Sequence, residues 1–269
     1  MRSNVTSKVV LITGASRGIG FATAKRLVDD GYTVYGTSRN PEHLAEFGFT
    51  LLPLDVHDDA SVKQCVETII AQSGRIDVLI NNAGLSIFGA IEETSIEEAK
   101  TLFETNFFGV MRMVNAVLPI MRQQQSGQII NLSSIGGLLG LPYMGIYASS
   151  KFALEGYSES LRHEVKALGV DVTLIEPGDI NTDIVEPHTQ IRIDDYAETR
   201  DYVYQDHMKS MNSAPSPQIV ASLIAKIIKS QKSRIRYSIG RESFVPIGRR
   251  LLPMSLAEWV VRRYFRLDR

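Results

Sequence analysis

Apolar residues gather in six short runs, at 8–13, 33–37, 51–54, 78–81, 128–133 and 171–176, separated by segments long enough for helices. Runs such as Val9-Val10-Leu11-Ile12 lack polar alternation, the pattern of strands buried on both faces. Regular strand-then-helix alternation predicts an α/β fold: a single doubly wound parallel β-sheet with helices on both faces. No repeat of 20–50 residues and no low-complexity tract breaks the pattern, so one domain over 1–269 suffices.

The regularity ends at Pro177-Gly178. Residues 179–217 carry few strand signals, several charges and Pro187, Pro215 and Pro217. Lying just past the C-terminal end of a strand, where open α/β sheets bind ligands, this irregular stretch is expected to be a substrate lid, with a plain surface loop as the alternative. A helical extension is expected at 246–269. There Arg249, Arg250, Arg262, Arg263, Arg266 and Arg269 interleave with Leu251, Leu252, Trp259, Val260, Val261, Tyr264 and Phe265. Such a segment can lie on a membrane surface, but the preferred reading is a helix packed on its own domain.

With 269 residues, 44% of them hydrophobic, the chain can bury an ample core. Its 29 basic and 30 acidic residues leave a net charge of −1, which gives no electrostatic case for a nucleic-acid partner. Cys65 is the only cysteine, so an internal disulfide is excluded and the Cys/His spacing of structural zinc is absent. No metal is expected. The apolar run near the N-terminus is too short for a signal peptide, and no stretch of about 18 apolar residues exists to span a bilayer, so a cytoplasmic location is expected.

Chemistry first appears where the first strand runs into Thr13-Gly14-Ala15-Ser16-Arg17-Gly18-Ile19-Gly20 ahead of a helical pattern over 21–30. Strand, glycine turn and helix together make a dinucleotide site. Glycines let the backbone approach a pyrophosphate, and the helix N-terminus offers free N–H groups and a positive dipole end. The spacing Gly-x-x-x-Gly-x-Gly departs from Gly-x-Gly-x-x-Gly. The second strand ends Gly36-Thr37-Ser38-Arg39-Asn40, with no carboxylate before Glu42 to bind a ribose 2′-hydroxyl. Arg39, with Arg17 from the loop, suits a 2′-phosphate instead, so NADP(H) is the expected cofactor.

A second cluster is Tyr147-Ala-Ser-Ser-Lys151, thirteen residues after Ser134. Four positions apart on a helix, the phenol and ammonium share a face. A phenol ordinarily titrates near ~10, and a neighbouring cation lowers that value towards one useful for acid/base catalysis.

Taken together, these residues resemble the short-chain dehydrogenases/reductases, of the core single-domain Rossmann type, over about residues 8–183. The likeness also takes in Asp55-Val56, Asn81-Asn82-Ala83-Gly84, Asn106, and Pro177-Gly178 with Thr182. It implies a catalytic set of Asn106, Ser134, Tyr147 and Lys151. Carbonyl and secondary alcohol would be interconverted by hydride transfer, with Tyr147 moving the proton, Ser134 hydrogen-bonding the oxygen, and Asn106 holding a water in a proton relay. The cofactor residues it implies are Gly14, Ser16, Arg17, Gly18, Ile19, Gly20, Arg39, Asp55, Val56, Asn82, Ala83, Gly84, Tyr147, Lys151, Pro177, Gly178 and Thr182. Asp55 and Val56 would contact adenine, Lys151 the nicotinamide ribose and Thr182 the carboxamide. A homodimer or homotetramer packed through the helices of Asn106 and Tyr147 is likewise implied.

The substrate is expected to be a small lipophilic molecule, because Leu85, Ile87, Phe88, Leu138, Leu139, Leu141, Pro142, Tyr143 and Met144 should line its pocket. Tyr147 through Gly156, with Glu159-Ser160-Leu161-Arg162, resemble the hydroxysteroid and retinol dehydrogenase branch. Two other readings stay open: a nucleotide-sugar epimerase or dehydratase, which the chain length argues against, and a non-catalytic NADP-sensing protein.

Overall fold

All six apolar runs become strands, which lie parallel in one sheet in a computed structural model describing residues 7–41, 48–182, 187–230 and 233–267. They are β1 (Val9–Ile12), β2 (Thr33–Ser38), β3 (Thr50–Pro53), β4 (Val78–Asn81), β5 (Gly127–Leu132) and β6 (Val170–Pro177). A seventh strand, β7 (Arg236–Ile239), adds an edge that the hydrophobic pattern does not signal, and gives the order β3-β2-β1-β4-β5-β6-β7. Its four residues are all half-buried, and Arg236 and Ser238 dilute the apolar signal.

The helices are α1 (Gly18–Asp29), α2 (Asp59–Ser73), α3 (Ile96–Phe103), α4 (Gly109–Gln124), α5 (Gly145–Val165), α6 (Ala197–Ser213), α7 (Gln218–Lys229), α8 (Val245–Leu251) and α9 (Met254–Tyr264). The missing polar alternation in the strands has a direct cause. Val9 and Leu11 enter a core shared with α2, α4 and α5, whereas Val10 and Ile12 enter a second core shared with α1 and α7. Ile129 and Ile130 of β5 divide in the same way. Both faces of the sheet are therefore apolar.

From β3 the chain crosses back to place β4 beside β1, so the strand order reverses at that pair and opens a crevice at their carboxyl ends. Buried amides brace this region: Asn81 Nδ2 donates to Asn131 Oδ1 at 2.8 Å, and Asn131 Nδ2 donates to Ser158 Oγ of α5 at 2.8 Å.

The expectation of an irregular 179–217 is corrected in part, because 17 of its residues form α6. Only Arg200 and Val203 of that helix are buried, so its polar sequence has little periodicity to read. Residues 183–186, like Glu42 and Arg269, lie outside the described residues. A bridge pairs His188 with Phe88, and the buried ion pair Arg200–Glu93 ties α6 to the segment after β4. Ile193 N also donates to Glu93 Oε1, at 2.8 Å. At the C-terminus, α9 fully buries none of its residues, Ala257 and Val261 are half-buried, and Phe265 and Leu267 just past it pack on the domain. Among the described residues no helix is long and apolar enough to cross a membrane.

Leu79, wholly buried in the first core, is expected to cost about 2–5 kcal/mol when cut to alanine. Ile247→Ala, at a 64% exposed site, should change stability by no more than about 0.5 kcal/mol. Urea unfolding of both variants checks this, and similar losses would refute the core assignment.

Candidate active site

The glycine loop and the loop after β4 are stitched together at the crevice. Asn82 Nδ2 donates to the carbonyls of Thr13 and Gly14, both at 2.9 Å, and Thr13 Oγ1 accepts from Asn82 N and Ala83 N, both at 3.0 Å. Gly14 and Gly18 have φ of +66° and +56°, a left-handed backbone that glycine adopts freely. Gly20 is required for space, since a Cβ there would lie 2.3 Å from the Gly14 carbonyl oxygen and 2.5 Å from Asn82 Nδ2. Ser16 and Ile19 are half-buried in the loop, and Arg17, at the N-cap of α1, is exposed. Arg39 is exposed just past β2. After β3, Asp55 is exposed and its Oδ1 accepts from His57 N at 3.0 Å, while Val56 lies against Gly109 of α4.

Across the crevice, β6 ends in Pro177-Gly178. A Cβ on Gly18 would meet Thr182 at 3.6 Å, so Thr182 faces the glycine loop. Its Oγ1 is buried with no hydrogen-bond partner among the described residues. A glycine cradle at a helix N-terminus with an orphaned hydroxyl on the neighbouring Thr182 fits a dinucleotide, whose phosphates the cradle would take. No group of acidic, histidine or cysteine side chains suited to a metal occurs among the described residues.

Asn106 does not sit in plain α-helix. Residues Glu104–Phe108 form a π turn between α3 and α4, the kind of bulge that turns a side chain away from the regular helical course. Its side chain is buried, with Oδ1 accepting from Leu85 N at 2.8 Å and Nδ2 donating to Leu85 O at 2.9 Å and Ser150 Oγ at 3.0 Å. Both amide protons are spent, so any water would have to be held by other atoms of this residue.

Ser134 follows β5 and caps the short turn Ile135–Gly137, its Oγ accepting from Gly136 N at 3.0 Å. Capping uses a lone pair and leaves the hydroxyl proton for a ligand. A Cβ on Gly136 would lie 3.4 Å from both Ser134 Oγ and Tyr147 Cε1, so the serine and the phenol border one space. Ser133 instead lies by Gly137 and Glu155.

Tyr147 and Lys151 rise from the first turns of α5, with Lys151 Nζ 5.8 Å from the Tyr147 ring centre. The ammonium is buried and donates to Leu132 O at 2.8 Å. Burial lowers its pKa to about 8, against the opposing pull of Glu155. A Cβ on Gly84 would be 3.4 Å from Asn106 Oδ1 and 3.8 Å from Lys151 Nζ, so the two predicted groups meet at the loop after β4.

Behind Lys151 lies a cluster that motif reading overlooks. Glu155 is one turn further along α5, and Arg236 of β7 bonds it at 2.8 Å, approaches Glu176 of β6 at 3.2 Å and binds Glu159 at 2.6 Å. Glu176, fully buried, also accepts from Ser238 Oγ at 2.5 Å. Burial pushes both the Glu155 and the Glu176 carboxyls up, despite the guanidinium beside them. The spacing Lys151 to Glu155 was the available signal; the partner strand was not.

On the open side, Phe88, Met144 and Val203 form an apolar cluster with Leu141, Tyr143, Tyr147, Tyr202, Tyr204, Phe265 and Leu267 packed on it. The Phe88 ring lies 5.0 Å from Tyr204 of α6. Ile87 is buried, Leu138 and Leu139 are half-buried, and Leu85 is 36% exposed.

A family model described as short chain dehydrogenase matches residues 8–192. The chain is 40% identical to a 3-ketodihydrosphingosine reductase of Bacteroides thetaiotaomicron, over 96% of this chain and 98% of that protein. It is 36% identical to human 17-beta-hydroxysteroid dehydrogenase type 1, over 90% and 80%. A crystal structure of a short-chain dehydrogenase from Streptomyces avermitilis superposes with a TM-score of 0.84 at 34% identity, covering 95% of this chain and 96% of that one. Solved neighbours 26% identical hold 5-hydroxy-NADP in one case, with a TM-score of 0.71, and NAD in another, with a TM-score of 0.79.

Because the negative charge of Glu155 supports the Lys151 ammonium, Glu155→Gln is expected to lower the pKa of Lys151 further below its value of about 8. NMR titration of lysines labelled at Cε follows this directly, and a midpoint that stays or rises would refute the coupling.

Proposed function

The chain belongs to the short-chain dehydrogenase family, and we propose that within it the protein is an NADP(H)-dependent oxidoreductase interconverting a lipophilic ketone and a secondary alcohol, with Tyr147 as acid and base. The observation that carries this reading is the convergence of Tyr147, Ser134 and the buried Lys151 ammonium beside the glycine cradle.

When bound, NADP(H) supplies the hydride. In the reducing direction the Tyr147 hydroxyl gives its proton to the carbonyl oxygen, and the Ser134 hydroxyl donates a hydrogen bond as negative charge gathers there. Lys151 holds positive charge beside the phenolate that remains, and its burial strengthens that field by keeping water away. With a pKa of about 8 it is mostly protonated at neutral pH. Asn106 fixes the loop after β4 through both polar groups of Leu85.

Arg17 within the glycine loop and Arg39 just past β2 support NADP(H) over NAD(H), both being exposed and no carboxylate standing at the end of β2. α6 supports the lid reading, since Val203 and Tyr204 close over Phe88 next to Tyr147. The aromatic and aliphatic lining favours a bulky apolar substrate, and the reductase from Bacteroides makes a long-chain 3-keto amine the first compound to try. For assembly, Phe108 and Phe152, 43% and 37% exposed, offer apolar contacts near Asn106 and on α5 that a homodimer would bury.

The test is NADPH oxidation over a panel of long-chain ketones, steroid ketones and aldehydes. Tyr147→Phe should lower turnover by about 10²–10⁴-fold while NADPH binding stays near that of the parent, and activity within tenfold of the parent would sink the acid/base assignment. Arg39→Asp should move preference towards NADH by at least about tenfold. A parent that binds NADH more tightly than NADPH would overturn the cofactor reading.

A further inference from the structure

α8 and α9 present an apolar surface that nothing in the described chain covers. Phe244, Ile247, Leu251 and Met254 are 67%, 64%, 73% and 79% exposed. On α9, Leu256, Val260 and Tyr264 follow one another at four-residue steps, so they form one stripe, and all three face outward at 43%, 44% and 62% exposure. Trp259, 56% exposed, widens it. Only Ala257 and Val261 turn inward, and they are half-buried. The usual use of an amphipathic helix, sealing its own core, is thus not the use made of this stripe.

Charge narrows what the surface meets. Residues 245–269 contain six arginines against Glu258 and Asp268, a local excess of +4 in a chain whose net charge is −1. Arg262 and Arg263 stand exposed on α9 itself. A second copy meeting this face about a two-fold axis would set the positive patch against itself. Nucleic acid would leave the tryptophan, leucine and valine side chains without an apolar partner. An anionic lipid bilayer satisfies both demands, because its boundary takes apolar side chains and its headgroups take arginines.

We propose that α8 and α9 dock the protein on the surface of an anionic membrane, with Leu256, Trp259, Val260 and Tyr264 entering the headgroup boundary and Arg262 and Arg263 meeting lipid phosphates. The position of the surface gives docking a use. Just past α9, Phe265 and Leu267 pack into the apolar cluster that includes Tyr147, and the Arg266 guanidinium lies 5.1 Å from the Tyr202 ring centre. The docked face therefore adjoins the active-site cluster, and an apolar molecule leaving the bilayer would meet that cluster first.

The experiment is co-sedimentation of the full chain with vesicles of phosphatidylcholine alone or of phosphatidylcholine mixed with phosphatidylglycerol, at low and high salt. Binding to the mixed vesicles, weakened by salt, is expected, with little binding to phosphatidylcholine. Two double variants, Trp259→Glu with Val260→Glu and Arg262→Glu with Arg263→Glu, should each reduce the bound fraction roughly tenfold, with NADPH affinity unchanged. Equal binding to both vesicle types, no binding, or variants that bind like the parent would overturn the proposal. So would sedimentation velocity finding that the Trp259/Val260 variant splits a dimer formed by the parent, since the face would then belong to a second copy.

Discussion

The constraint on which the site depends is the burial of an ammonium ion where β5 meets α5. An isolated charge taken out of water costs several kcal/mol, so the fold has to supply compensation within reach. Leu132 O at the end of β5 gives one hydrogen bond, and Glu155 gives negative charge from the next turn of the same helix. Glu155 then needs its own counter-charge, which Arg236 of β7 provides while also facing Glu176 of β6. Two cations and two buried carboxylates thus balance across two strands and a helix. Loss of Arg236 would leave the buried Glu155 and Glu176 without their shared cation, so the sheet's edge strand is linked through Glu155 to the ammonium at its centre.

A parallel sheet brings this arrangement and the dinucleotide cradle to the same side. Every strand leaves the sheet at its carboxyl end in one direction, so the loops after β1, β4, β5 and β6 converge although they are far apart in sequence. What remains is to hold those loops at a fixed separation. Asn82 does so by reaching back to the carbonyls of Thr13 and Gly14, and Gly20 permits the approach by having no side chain.

The sheet was legible in the sequence because its central strands β1, β4, β5 and β6 are buried on both faces, which writes apolar runs into the chain, while β3 at one edge leaves only a short, half-buried Leu51-Leu52 run. β7 escaped because an edge strand that carries Arg236 for a charge cluster cannot also be uniformly apolar. Tyr147 and Lys151 could be paired because helix spacing is a local rule, whereas Ser134 followed from the family resemblance. Asn106 could be picked out, but the π turn that aims it could not, since one extra residue in a helical turn leaves no mark on composition. The C-terminal segment marks a different boundary: amphipathicity says that a stripe seeks an apolar partner, and it does not say whether that partner is the domain's own core.

The distribution of rigid and peripheral elements explains why the reaction class is easier to read than the substrate. Tyr147, Lys151, Ser134 and Asn106 are fixed by strand ends and by α4 and α5 packed on the first core, so their geometry follows from the sheet itself. The apolar groups on the other side of Tyr147 come from α6 and from the chain after α9, which pack on the domain through the cluster around Phe88, the buried Arg200–Glu93 pair and contacts such as Ser210 with Asp179. These contacts are separate from those of the Lys151, Glu155 and Arg236 cluster. A site divided in this way separates the groups proposed for proton transfer from the apolar pocket, so knowledge of the first constrains the second only through polarity and size.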